Sequence, residues 1–209
     1  MYLNNFSVRI IGGNEAESGY VEMRHGQVYK LSLRNSRVVN CDARVTIDGK
    51  DVGTWRIPSL SSIVLARPVH DDGQFTFYKV GTREARQAQL DEYSGELGLI
   101  EVVFTPELVE PVVYKEYSYQ NQWTNTGGLE MGACAPIVAA AGGGSQSRSE
   151  KSLSAGGTGL SGQSNQKFGT TYKIDYDLSQ RTTIYLRLVA RDDGPRPLTA
   201  HSNPIPPRI

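Results

Sequence analysis

The sequence has no excess of charge: 22 lysines and arginines stand against 22 aspartates and glutamates in 209 residues. Sequence-independent binding to nucleic acid draws on surplus cations that neutralise phosphates, so specific or general nucleic-acid binding is not expected. Zero net charge also removes long-range repulsion between copies and permits self-association. Cysteine is scarce. Cys41 and Cys134 lie far apart and match no metal-ligand spacing, so free thiols in a reducing compartment are expected. Long apolar runs are missing, and none approaches the roughly 20 residues that span a bilayer. The opening MYLNNFSVRI lacks the basic and apolar regions of a secretory signal. It reads as an uncleaved start, with synthesis in the cytosol.

Helical periodicity is nearly absent too. REARQAQLDE (83–92) is the one fair helical stretch, short and polar. What the chain has instead is alternation. FSVRII (6–11), QVYKLSLRN (27–35), CDARVTID (41–48), DVGTWRI (51–57), SSIVLARPV (61–69), QFTFYKV (74–80) and GLIEVVFTPE (98–107) are short strand patterns separated by turns. In CDARVTID the residues Cys41, Ala43, Val45 and Ile47 point one way and Asp42, Arg44, Thr46 and Asp48 the other. That period of two marks a sheet with one wet face. Asp48-Gly49 supplies the positive φ angles of a tight hairpin turn, and Pro58 closes the second strand. The pattern predicts an all-β fold: an antiparallel β-sandwich or jelly-roll-like domain over 1–107. Its core should hold Cys41, Val45, Ile47, Trp55, Ile57, Ile63, Leu65, Phe75 and Phe77.

From 108 the character changes. ELVEPVVYKEYSYQNQWTNTGG has aromatics without clean periodicity. It is followed by AAAGGGSQSRSEKSLSAGGTGLSGQSNQKF (139–168), which has the composition of a flexible spacer. Residues 108–170 therefore read as an extended arm with Tyr114, Tyr117, Tyr119 and Trp123 as docking anchors. Residues 171–209 read as a C-terminal strand segment and a proline-rich tail. In TTIYLRLVAR the side chains of Ile184, Leu186 and Leu188 share a face too apolar for water. That strand must be handed to a neighbouring subunit or returned to its own sandwich, because two strands alone are marginal.

No constellation for chemistry stands out. His25, His70 and His201 have no second ligand at metal spacing, and no metal or cofactor is expected. His70-Asp71-Asp72-Gly73 is ordinary turn chemistry. There is no GxSxG elbow. GGTGLSG (156–162) lacks the GK[ST] ending of a phosphate loop. An enzyme is not expected.

The stretches GYVEMRHGQVYKLSLRN, CDARVTIDGKDVGTWRIP and RPVHDDGQFTFYKV resemble β-sandwich structural proteins of large double-stranded DNA viruses and related phages. AGGTGLSGQSNQKF and TTIYLRLVARDDGPRPLT add to that resemblance. It implies a non-enzymatic virion protein of minor capsid, penton or spike-base type, whose partners are other capsid subunits in a homo-oligomeric assembly. Its location would be the virion, after synthesis in the host cytoplasm. A sandwich binding module, either an adhesin or a carbohydrate-binding domain, is the alternative. A subunit of an extracellular filament is a third reading, and it calls for a secretion signal.

Overall fold

The structure, a computed structural model, describes residues 1–109 and 153–191. The strands are, in chain order, β1 (Tyr2–Leu3), β2 (Phe6–Ile11), β3 (Asn14–Glu15), β4 (Tyr20–Met23), β5 (Gln27–Val28), β6 (Lys30–Asn35), β7 (Cys41–Ile47), β8 (Lys50–Ile57), β9 (Ser62–Leu65) and β10 (Gln74–Lys79). A short helix α1 (Arg83–Gln87) precedes β11 (Leu99–Pro106), β12 (Leu153–Ser161) and β13 (Thr182–Arg191). The fold is all-β and sandwich-like, as the alternation predicts. No helix among the described residues is long and apolar enough to cross a membrane.

One sheet runs β1-β2-β6-β9 and the other β5-β10-β12-β13-β11-β7-β8. Their facing sides share one core. Phe6 of β2 stacks on Phe104 of β11, with ring centroids 4.6 Å apart. The alternation of CDARVTID is realised residue for residue: Cys41, Ala43, Val45 and Ile47 are buried and the residues between them are not. Asp48 and Gly49 both take positive φ, 51° and 74°, and set Ile47 opposite Lys50. Of the nine core residues expected, Ile63 alone is only partly buried, and the other eight are in the core. The stretch 27–35 is not one strand. It breaks at Tyr29, so that β5 pairs with β10 in one sheet and β6 with β2 in the other.

The division of the chain differs from the expectation. Residues 153–161, assigned by composition to the spacer of an extended arm, form β12, paired with β10 along six residues and with β13 along three. Glycine weakens a strand in general, but here crowding requires it. A Cβ on Gly156 would lie 2.2 Å from the Phe77 ring, one on Gly157 2.7 Å from Leu97, and one on Gly159 2.5 Å from the Tyr78 ring.

The C-terminal strand is returned to its own sandwich. β13 lies between β11 and β12 in the middle of the larger sheet. It also pairs with β4, from Arg187↔Tyr20 to Ala190↔Met23, and this pair is parallel. A parallel neighbour needs a long crossover, and nearly the whole chain separates these two strands. Residues 1–109, 153–161 and 182–191 thus form one body, not a 1–107 domain with appendages.

Candidate functional site

The seven residues expected to bind partners divide into two groups. Tyr114, Tyr117, Tyr119 and Trp123 lie outside the described residues. Ile184, Leu186 and Leu188 are buried at 2 % exposure or less in the chain's own core. They offer no surface to a neighbour, because β11, β12 and β4 already flank their strand and the other sheet covers their face.

Two polar assemblies and a cleft are built around this core. The first is centred on Asp48. Its left-handed backbone, which aspartate tolerates better than most residues, aims the carboxylate away from the hairpin. Oδ1 accepts from the Gly98 amide at 2.6 Å and Oδ2 from the Thr158 amide at 2.7 Å. The Thr158 hydroxyl in turn pairs with Tyr29 Oη at 2.7 Å. One side chain thereby joins the β7–β8 hairpin, the approach to β11, and β12. Beside it the buried Arg187 donates from Nη1 to Leu97 O at 2.7 Å and from Nη2 to Gly95 O at 2.8 Å. Burial pulls the pKa of that guanidinium down. These groups hold the loop 94–98, and Arg187 Nε is left buried without a hydrogen-bond partner among the described residues.

Burial pushes the Asp48 carboxyl up to about 6, against the two amide hydrogen bonds that favour its ionised form. The native state therefore holds a proton that the unfolded chain releases near its ordinary carboxylate pKa. Between about pH 4 and pH 6 the native state binds more protons, so stability falls as pH rises. A shift of about two units corresponds to about 3 kcal/mol. Urea titrations of the protein and of Asp48→Asn across pH 4–7 check this. The wild-type midpoint, taken relative to the variant, should decline up to pH 6 and level off above it. Parallel curves would refute the assignment.

The second assembly is Asp42, Arg56, Tyr172 and Tyr176. Arg56 Nε donates to Asp42 Oδ1, and Nη2 donates to Asp42 Oδ2 at 3.1 Å and to Tyr172 O at 3.2 Å. Tyr176 Oη donates to Asp42 Oδ2 at 2.6 Å. Burial alone would raise the Asp42 carboxyl, but the hydrogen bonds from Arg56 and Tyr176 outweigh it and hold the group below its ordinary value. The guanidinium also sits 5.3 Å from the Tyr172 ring. With Arg67 over Phe168 at 4.5 Å, and Gln166 bonded to both Val64 O and Ala66 N, this assembly binds the segment 162–181 along the sandwich. Residues 171–177 contribute only a single bridge, Tyr176↔Glu107.

The third feature is a cleft of about 540 Å³ between the β7–β8 hairpin, α1 and the β10–β12 pair. His70 stands at its rim. In the adjoining turn Asp71 Oδ1 accepts from the Gly73 amide and Asp72 pairs with Arg67 at 3.3 Å, which is the turn chemistry read from HDDG. His25 accepts from the Lys79 amide. Among the described residues no three metal-ligating side chains gather. Cys41 is a free, fully buried thiol, pushed up to about 12 chiefly by burial. No family model, curated protein or solved structure matches this chain.

Sequence reasoning sees Asp48 only as a turn residue. Its hydrogen-bond partners lie 50 and 110 residues away, so no local pattern signals them. The cleft is likewise assembled from five separate stretches.

Proposed function

We propose that the chain is a non-enzymatic structural protein that acts by contacting neighbouring subunits, as a virion component of capsid, penton or spike-base type does, with residues 110–152 as the contacting segment. The observation that carries this reading is the placement of the segment's ends. It leaves from β11 and re-enters at β12, two strands held within one sheet on either side of β13. It is therefore an insertion tethered at both ends to a packed body, not a tail. Its sequence has the aromatics Tyr114, Tyr117, Tyr119 and Trp123 and a glycine- and serine-rich run, a composition with little to bury alone and several anchors for a partner.

The test replaces residues 112–150 with a flexible linker of about 12 residues, long enough for a mean span of roughly 20 Å. The body should keep its far-UV circular dichroism and its cooperative urea transition. Self-association of the full chain, measured by sedimentation up to about 100 µM, should be lost. A full chain that stays monomeric, or an excised chain that associates equally well, would remove the proposal. The cleft favours a second reading as a sandwich binding module, and that reading stands apart from the insertion.

A further inference from the structure

We infer that the outer face of the β1-β2-β6-β9 sheet is a binding surface for single-stranded nucleic acid. Arg9, Lys30 and Arg34 take phosphates, and Tyr2 takes a base. The surface belongs to the packed body and does not rest on the insertion.

The alternation that sends Val8, Ile10, Leu31 and Leu33 into the core sends Arg9 of β2 and Lys30 and Arg34 of β6 outward, and all three are exposed. The three cations are set in order by the register. Arg9 lies opposite Ser32, midway between Lys30 and Arg34. With a rise of about 3.4 Å per residue and about 4.8 Å between strands, the backbones of successive cations stand roughly 8 Å apart in a shallow zigzag. None of the three has a hydrogen bond, ion pair or ring contact among the described residues. The four strands of this sheet contain no aspartate or glutamate. The even balance of charge over the whole chain is thus an average, from which this face departs.

The rest of the face is small, hydroxylated or apolar. Ser7 and Ser62 flank Arg34, and Ser32 flanks Arg9. Tyr2 lies opposite Ser7, in one cross-strand row with Arg34. Its ring is open to solvent, and its hydroxyl is fixed by donation to Asn5 Oδ1 at 2.6 Å. Ile11 and Val64 stand exposed between the polar positions.

Unpaired cations in a row call for a partner with repeated negative charge, which a phosphodiester chain carries at every nucleotide. The exposed ring and apolar positions select the single strand. A duplex keeps its bases stacked on one another and leaves Tyr2, Ile11 and Val64 uncovered; a single strand can lay bases against them. A membrane surface calls for apolar side chains that reach past the cations, and Ile11 and Val64 are shorter than the lysine and arginines beside them. An acidic peptide joining as a further strand needs a sheet edge. Gln166 already bonds Val64 O and Ala66 N along the edge of β9.

The experiment follows the fluorescence anisotropy of a labelled twelve-residue oligothymidylate against the full chain, from about 20 mM salt upward. Binding should saturate. Log K should fall against log salt with a slope of about −2, since each of three phosphates on a single strand contributes about −0.7. Arg34→Gln should reduce that slope to about −1.4, and Arg9→Gln, Lys30→Gln and Arg34→Gln together should abolish binding. Arg83→Gln removes the same charge from the exposed start of α1 and should change nothing. Tyr2→Ala should weaken binding at least about fivefold, as loss of a stacked base does, and leave the slope as it is. The substituted side chains are all exposed, and an unchanged urea midpoint verifies that the fold persists. Absence of saturable binding overturns the inference. So do equal effects of Arg34→Gln and Arg83→Gln, indifference to Tyr2→Ala, or tighter binding to a duplex of the same length. Vesicles of phosphatidylcholine with phosphatidylserine that bind the chain more tightly than the oligothymidylate does would assign the face to a membrane instead.

Discussion

A chain ended at Arg181 is expected to unfold as a whole rather than lose a tail. The truncation removes β13, which lies in the middle of the larger sheet and pairs with β11, β12 and β4. Ile184, Leu186 and Leu188 leave the core with it. At about 1.5–3 kcal/mol for each buried side chain, their loss removes roughly 5–9 kcal/mol. That is comparable to the whole stability of a typical domain, about 5–15 kcal/mol. Three strands are also left with unpaired edges, and the carbonyls of Gly95 and Leu97 lose their donor, Arg187. Far-UV circular dichroism and a urea titration of the truncated chain should show no cooperative transition. A native-like transition would mean that residues 1–107 form a sandwich without the C-terminal strand.

The same strand shows how far the sequence is legible. The pattern of TTIYLRLVAR specifies a strand with Ile184, Leu186 and Leu188 on one face, and that face is buried. It does not specify in which sheet, because cis and trans pairing satisfy one alternation equally. Arg187 and Val189, on the opposite face, are buried as well, since the loop 94–98 and the neighbouring strands cover that side. Alternation alone gives a wet face there. The β7–β8 hairpin is fully legible, because its signal is local: two alternating strands and an Asp-Gly turn. What the carboxylate of Asp48 does beyond that turn is not legible, since both its partners are distant in sequence. The parallel pairing of β4 with β13 is hidden for the same reason. For the site, the sequence directs attention to the arm and the C-terminal strand. The cleft draws instead on residues that, read singly, belong to turns, strands and the short helix.

The least legible element is β12, and its glycines supply the other large expected effect. Gly156→Ala should destabilise the protein by about 3 kcal/mol or more, and Gly156→Val should prevent folding. A Cβ at this position would lie 2.2 Å and 2.7 Å from two atoms of the Phe77 ring and 2.8 Å from the backbone oxygen of Tyr78. Phe77 is fully buried, so its ring has nowhere to retreat, and the Tyr78 oxygen belongs to the ladder of β10 with β12. Overpacking of this kind costs typically 1–3 kcal/mol where side chains can shift; here one of the obstructing atoms is backbone. Gly169 directly follows the same glycine- and serine-rich tract, within the stretch 108–170 read as an arm, yet no atom stands within 4 Å of the Cβ it would acquire. Gly169→Ala should therefore change stability by no more than about 0.5 kcal/mol. The Phe77 contact can be isolated with a double-mutant cycle. Phe77→Leu frees space beside Gly156, so Gly156→Ala should cost less in that background than in the wild type. Urea midpoints of the five chains test the whole argument. If Gly156→Ala matched Gly169→Ala, the tract would be a spacer throughout, as its composition alone suggests. A large difference between the two glycines would establish that in this chain glycine serves close packing at residue 156 and only chain reach at residue 169.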